Sequence, residues 1–537
     1  MKQILAIFAK DARRFWPEIL VCCAMLVVLV LVYPIGWRTT NALGAVSGGR
    51  LAFGAAGGSL LAATLVFLVP VGWLVLIARA VHCERLVGDT QFWLTRPYDW
   101  RKLFAAKLLF FAAFLYAPFF LAQCLLLLEA GLHPLHYLGG MLFNLLLLTA
   151  VGVLPLLALS SLTSGFGRLM LVLLGLGLVF VAMIGGVSAM PFNVVTNVPD
   201  LVSGELVLGA LFWGSLPAAL ILYARRNAKA GWLIVGSVLV VIGATAFFNP
   251  DRALVGSFYP ELSAGSEAPV TFAYGAKDLN QPTANLTVNK RWVEVVIPMT
   301  ESGVQDGSVA VPRAVRVTLT GAGGSTWESP WQGYIATPFI PGQSNTVIRF
   351  LMPRSAYDQL KGAPMTLHIT IALTMGRKAS QSLIALPTGD FAVPEIGVCK
   401  PEPWMWQPDE FWGIACRSPM NQPELTYVTV PWSSKTCKAG AEADQDQAIA
   451  KAWVGELDRE PAELGISPVS NVPLVFSQPW LSKDWEEAGH HWSICPGAPV
   501  QFTQYQAASR LREDVSIPGF HLPELAFGDR FLMGGTE

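Results

Sequence analysis

Three groups of side chains in this 537-residue chain have the types and spacing to do chemistry. The first is Asp484, Glu486, Glu487, His490 and His491. Glu486/His490 and Glu487/His491 stand four residues apart, so on a helix each pair shares a face and can ligate a metal. Such pairs are more often solvated surface pairs, and we assign them no metal. The second group is Cys399, Cys416, Cys437 and Cys495. The absence of a C-x-x-C pair argues against zinc. Two disulfides among four cysteines allow three pairings. Short loops close easily, which favours Cys399–Cys416 with Cys437–Cys495. The third group lies between His82 and Lys107 and holds Glu84, Arg85, Gly88, Thr90, Phe92, Trp93, Leu94 and Pro97. Its chemistry is recognition. Glu84 and Arg85 put charge at a helix end, and Gly88 permits a turn. Phe92, Trp93 and Trp100 offer apolar area that water penalises unless a membrane or partner covers it. Pro97 stops any helix before it. A short aromatic helix between Gly88 and Pro97 would fit a partner's groove. The competing reading is an interfacial loop with its aromatics at headgroup level. No catalytic residues are expected: G-x-S-x-G and H-E-x-x-H are absent. No G-x-x-x-x-G-K-[ST] occurs either, so the chain holds no nucleotide by a P-loop.

The elements that must position these groups follow from composition. Hydrophobic residues make up 53% and charged residues 14%. Mean hydropathy is +0.46. These values exclude a disordered chain and argue against a wholly soluble enzyme. The net charge of −1 excludes a strongly basic nucleic-acid binder. Residues 1–248 carry 16 Lys/Arg against 8 Asp/Glu, whereas residues 249–537 carry 21 against 30. Two kinds of protein meet near Phe248. The first half reads as a membrane α-helical bundle with about seven apolar stretches of spanning length. These are Pro17–Gly36, Leu60–Ala80, Leu103–Leu128, Tyr137–Leu159, Leu169–Met190, Leu206–Tyr223 and Gly231–Phe248. Pro70, Pro118, Pro155 and Pro217 fall inside them, as membrane helices tolerate. Gly139–Gly140, Gly175/Gly177 and Gly185–Gly186 would allow close helix approach. With a cytoplasmic N-terminus, 14 Lys/Arg before residue 249 lie on inner segments and only Arg38 and Arg50 on outer loops. That asymmetry places residues 249–537 outside, at the inner (plasma) membrane. Residues 1–16 read as an amphipathic interfacial helix with Ile4, Leu5, Phe8, Ala12 and Phe15 on one face. Lys2, Asp11, Arg13 and Arg14 are placed off that face.

The loop over residues 82–107, taken with this topology, resembles the coupling segment of ABC exporter membrane subunits, the type-2 ABC transporter permease family. Glu84 and Arg85 match the family's acidic-basic start, and Gly88 and Thr90 its Gly-Thr, with Asp89 between them. Leu94, Pro97 and Lys107 match the remainder, while Leu86 stands where the family often has a second acid. The likeness spans roughly residues 1–225, with the core of the coupling loop at 82–102. It implies a permease subunit driven by a separate cytoplasmic ABC ATPase, which would hold the ATP and Mg²⁺. It also implies a second permease subunit, as a homo- or heterodimer, and Glu84, Arg85, Gly88, Thr90, Phe92, Trp93, Leu94 and Pro97 as partner-coupling residues. The span midplanes lack ionisable residues, with Glu129 at an outer end and Lys107 at an inner end; Gln123, Asn144 and Thr149 are the polar positions. Ion-coupled carriers usually keep ionisable groups at the midplane, so the pattern favours an external energy source. The alternative function is a non-transport anchor or sensor that presents an extracytoplasmic binding domain.

The outer half begins with a Pro- and Ser-rich linker over 249–269. Alternating β-branched runs at Trp292–Ile297, Ala314–Thr320, Thr346–Met352, Met365–Leu373 and Leu425–Val430 then predict a β-sandwich, placed at 270–390. Residues 391–537 read as a Trp-rich, disulfide-bonded region with short helices such as Asp444–Leu457. The outer half holds 11 of the 18 tryptophans, including Trp404, Trp406, Trp412, Trp480, Trp485 and Trp492. These would fill sandwich cores or form platforms for glycan or lipid.

Overall fold

A computed structural model describes residues 2–39, 57–84, 99–189, 202–248, 250–261, 270–274, 282–286, 291–321, 324–333, 339, 345–394, 396–404, 407–419, 424–431, 449–454, 467–475 and 494–525. Among them, seven helices are long and apolar enough to cross a membrane. The spans are Trp16–Pro34, Leu61–His82, Trp100–Glu129, Pro134–Leu162, Phe166–Met183, Ser203–Arg225 and Ala228–Phe248. Each overlaps one of the apolar stretches expected from the sequence. A short helix, Lys2–Arg14, precedes the first span.

Spans three and four share an irregularity whose cause is in the sequence. Each contains one π-helical turn, Ala112–Tyr116 and Thr149–Val153. Pro118 and Pro155 follow within two residues. Proline has no N–H and its ring crowds the carbonyl four residues back, here Phe114 and Val151, both inside the π turns. The wider turn absorbs that conflict without ending the helix. The two turns are joined by the Tyr116 and Thr149 hydroxyls at 2.6 Å, and Thr149 also donates to the Leu145 carbonyl.

Close helix approach falls on glycines other than Gly139–Gly140 and Gly175/Gly177, while Gly185–Gly186 lies outside the residues whose surroundings are described. A Cβ at Gly139, Gly140, Gly175 or Gly177 would meet nothing within 4 Å. At Gly214 it would lie 2.1 Å from a Val238 methyl, and at Gly231 2.7 Å from a Leu162 methyl. Gly214 therefore lets spans six and seven touch, and Gly231 brings span seven against the end of span four.

Beyond the seventh span, the stretch expected as a linker carries a helix, Pro250–Phe258. Asp251 turns back to the N-terminal end of span six. Its Oδ1 accepts from the amides of Val202 (2.7 Å) and Ser203 (3.1 Å), and Oδ2 bonds the Ser203 hydroxyl. A carboxylate at a helix N-terminus satisfies donors the helix cannot pair itself. Val255 and Tyr259 are buried with Ala314, Trp331 and Ala372, so the connector is packed rather than free.

The rest is β-rich, with antiparallel strand pairing and, among the described residues, no barrel. One sheet joins β1 (Thr271–Tyr274), β3 (Trp292–Ser302), β2 (Thr283–Leu286) and β7 (Asn345–Pro353). A second, seven-stranded sheet contains β4 (Ser308–Gly321), β5 (Thr326–Glu328), β6 (Gln332–Gly333), β8 (Met365–Ala385), β12 (Glu424–Pro431), β13 (Ile449–Val454) and β15 (Pro499–Phe520). A third joins β9 (Phe391–Val393), β10 (Gly397–Trp404), β11 (Gln407–Pro419) and β14 (Val469–Val475). Two apolar cores result. The first fills the space between β3/β7 and β4/β8/β15, with Val295, Ile297, Phe350, Val317, Leu367, Ile369 and Val515. The second lies between β10/β11/β14 and β12/β15, with Cys399, Ile414, Leu474, Val428, Val430 and Phe502.

The first core joins strands from the segment 270–390 with β15, from the far end of the chain. The boundary expected at residue 390 is not a boundary in the fold, because β8 and β15 pair from Met365 to Ala385. Within the segment expected as a helix at Asp444–Leu457, Ile449–Val454 is a strand paired with β12. Cys399 and Cys416 oppose one another across β10 and β11 and form a disulfide. Closing a loop of 17 residues is worth about 3 kcal/mol in the chain-entropy account. Cys495 is also disulfide-bonded, and Cys437 lies outside the described residues.

Candidate partner-coupling site

The N-terminal helix buries a stripe at helical spacing: Ile7, Asp11 and Phe15 are buried, with Ile4 and Phe8 half-buried. Asp11 is therefore inside that stripe, contrary to its expected place among the outward charges. Leu5, expected on the buried face, is 52% exposed. Phe8 stacks on Phe114 at 5.6 Å and Phe15 meets Phe110 edge-on at 6.2 Å, so the stripe packs on span three.

Asp11 is tolerated there because Lys107 comes to it. The Lys107 ammonium donates to Asp11 Oδ2 at 2.7 Å, to the Ala80 carbonyl at 2.8 Å and to Glu84 Oε1 at 3.2 Å. All three charged side chains are at most 1% exposed. Three acceptors satisfy the three donors of an ammonium. The half-exposed Lys10 adds a second cation 3.8 Å from Glu84. Two carboxylates and two ammonium groups thus balance, as a buried charge requires. Asp11 Oδ1 and the Tyr223 hydroxyl have no hydrogen-bond partner among the described residues. Tyr223, from span six, is within electrostatic reach of both carboxylates.

The cluster ties together the N-terminal helix, the end of span two, Glu84 just beyond it and span three. Glu84, expected as a coupling residue, is turned inward onto Lys107, so it fixes the root of the loop. Burial, and next the Glu84 carboxylate, push the Cys83 thiol above its ordinary pKa; Lys107, Arg14 and Lys10 oppose them. The far root is also fixed. Asp99 Oδ1 accepts from the Arg101 amide at 3.1 Å and caps the third span. At the end of span two, Arg79 pairs with Glu18, and His82 Nε2 is 3.1 Å from the Thr163 hydroxyl. Arg85, Gly88, Thr90, Phe92, Trp93, Leu94 and Pro97 lie outside the described residues.

Sequence reasoning missed Asp11 and undervalued Lys107. The available signal was an acid at the centre of a 4-7-8-11-15 stripe whose other members are Ile or Phe. The five acidic and histidine residues from Asp484 to His491 lie outside the described residues, as do Trp406, Trp480, Trp485 and Trp492. Among the described residues no group of three or more His, Cys, Asp or Glu could hold a metal ion.

No family model and no curated protein matches the chain. Among solved structures, it has a likeness to the C-terminal globular domain of oligosaccharyltransferase from Pyrococcus abyssi. The match is 10% identical, covers 52% of this chain and 58% of that one, and has a TM-score of 0.12. At that score it carries no functional argument.

Proposed function

We propose that this multi-pass membrane protein is the permease subunit of an ABC export complex, driven by a separate cytoplasmic ATPase that docks on the loop after span two. The observation that carries this reading is the buried Asp11–Lys107–Glu84 cluster. It gives the docking loop a rigid root that reaches the N-terminal helix and span three through ion pairs. A push on the loop would then move helices rather than slack backbone. ATP and Mg²⁺ belong to the partner, and a second permease subunit, identical or not, completes the path.

In this reading the N-terminus is cytoplasmic and the β-rich domain lies outside the inner (plasma) membrane. The disulfide Cys399–Cys416 suits that side, since cytosolic thiols are kept reduced. A reporter fused after Glu537 that is active only outside the cytoplasm is expected to be active. Activity of a cytoplasm-only reporter at the same position would contradict the orientation.

The second reading, a membrane anchor or sensor, draws on the packing of the outer domain against the bundle. Leu132, after span three, is buried with Val469 of β14. Co-purification separates the two readings, because only the first needs an ATPase at the cytoplasmic face.

A further inference from the structure

The outer domain is fastened to the bundle at two places, and each place belongs to a different lobe. The lobe built on the first core is held through the connector. Val255 and Tyr259 are buried in it, and the Arg510 guanidinium stands 5.9 Å from the Phe258 ring and 5.8 Å from the Tyr259 ring. Arg512 pairs with Glu261, and the Arg512 amide donates to the Pro260 carbonyl at 2.9 Å. Through Asp251 this lobe is tied to span six as well as span seven.

The lobe built on the second core sits instead on the outer ends of spans three and four. Leu127, Ala130, Leu132 and Met141 are buried with Val469. Gly131 has φ +80°, and a Cβ there would stand 2.8 Å from a Val398 methyl. The Ser467 side chain hydrogen-bonds Tyr33 of span one.

Between the lobes runs the β8–β15 ribbon. The β4 strand pairs with β8 only as far as Arg377, and β12 pairs with β15 only from Gln506 to Gln501. At the crossing, Arg377–Ala379 of β8 and Gln506–Ser509 of β15 are all exposed, so neither core supports them. The β15 register shifts twice here, at Gln504/Tyr505 and at Ala507/Ser509. Bulges bend a strand, and β4 and β12 flank the ribbon together on only one row, Ser308–Arg377–Gln506–Glu424, before each gives way to the other. A small cluster of Val309, Val311, Leu425, Tyr427 and Tyr505 closes the joint beside the crossing.

We infer that the outer domain is a two-lobed lever. When the outer ends of spans three and four move relative to spans six and seven, the ribbon bends and the angle between the lobes changes. The inference rests on the fold alone and holds whether or not an ATPase docks below.

The test uses the full chain in lipid nanodiscs. In the unmodified protein, the amides of the bulge residues Ala379 and Ala508, which have no register partner across the ribbon, are expected to exchange hydrogen roughly tenfold or more faster than those of β3. Protection equal to β3 would overturn the hinge. Nitroxide-bearing unnatural amino acids at Leu286 and Leu383, both exposed and one on each lobe, report the lobe separation. Unseating the second lobe with Leu132→Asp, or more gently with Leu132→Ala, is expected to shift or broaden that distance by several ångströms. An unchanged distribution in a folded unseated variant would also overturn it. The exchange measurement needs no variant, so it decides even where Leu132→Asp fails to fold.

Discussion

Lys107→Ala is expected to be the most damaging single change in the membrane half. It leaves Asp11 and Glu84, each at most 1% exposed, without their shared cation. Breaking a buried ion pair by removing one partner typically costs about 3–5 kcal/mol, because the remaining charge is neither solvated nor paired. The prediction separates charge from packing. Lys107→Met in a chain that also carries Asp11→Leu and Glu84→Met removes every charge and polar group of the triad while keeping most of its volume. Neutral sets of this kind often match the ionic original, so this triple variant is expected to recover most of the loss. Apparent melting in detergent, followed by size-exclusion chromatography, provides the scale. Hydrogen exchange at Ile7–Asp11 shows whether the N-terminal helix detaches first. A single variant that melts with the wild type would contradict the cluster's role.

Trp93→Ala is expected to leave membrane insertion intact and weaken ATPase binding about 30-fold. The scale follows from truncation of aromatic anchors, which commonly costs an interface about 2 kcal/mol or more. The loop carrying Trp93 is anchored at Glu84 by Lys107 and at Asp99 by its helix cap, so loss of the anchor is not offset by the loop settling elsewhere. Trp93→Phe, which keeps an apolar ring, should lose less. The variants of Glu84 and Trp93 are expected to differ in kind. Glu84→Ala acts through the buried cluster and should lower both stability and binding, whereas Trp93→Ala should lower binding alone. Quantitative pull-down at matched membrane levels reads both. If the loop only rests in the headgroup layer, Trp93→Ala will leave ATPase recovery unchanged.

Much of the fold was legible because it depends on local pattern. Long apolar runs specify membrane helices, and period-two alternation specified β3, β4, β7, β8 and β12. The lysine and arginine asymmetry suggested a direction. What stayed hidden depends on partners far apart in the chain. Pro118 and Pro155 are visible, but their π turns become evident only when Tyr116 and Thr149 meet across two spans. Asp11 reads as an ordinary outward charge until Lys107, 96 residues later, is placed beside it. The union of β8 with β15 joins segments separated by the whole second core, and alternation identifies strands without choosing their neighbours. For the same reason the apparent boundary at residue 390 was an artefact of reading along the chain.

In the proposed complex a nucleotide-hydrolysing partner sits on the loop after the second span. The most direct measurement places a photo-crosslinking amino acid at Trp93 in the native host and identifies the trapped species by mass spectrometry. One dominant adduct to a cytoplasmic protein that contains a P-loop is expected, lost when the crosslinker is moved to lipid-facing Leu233, which is 75% exposed. Adducts to lipid alone, in membranes where the chain is folded and abundant, would contradict it.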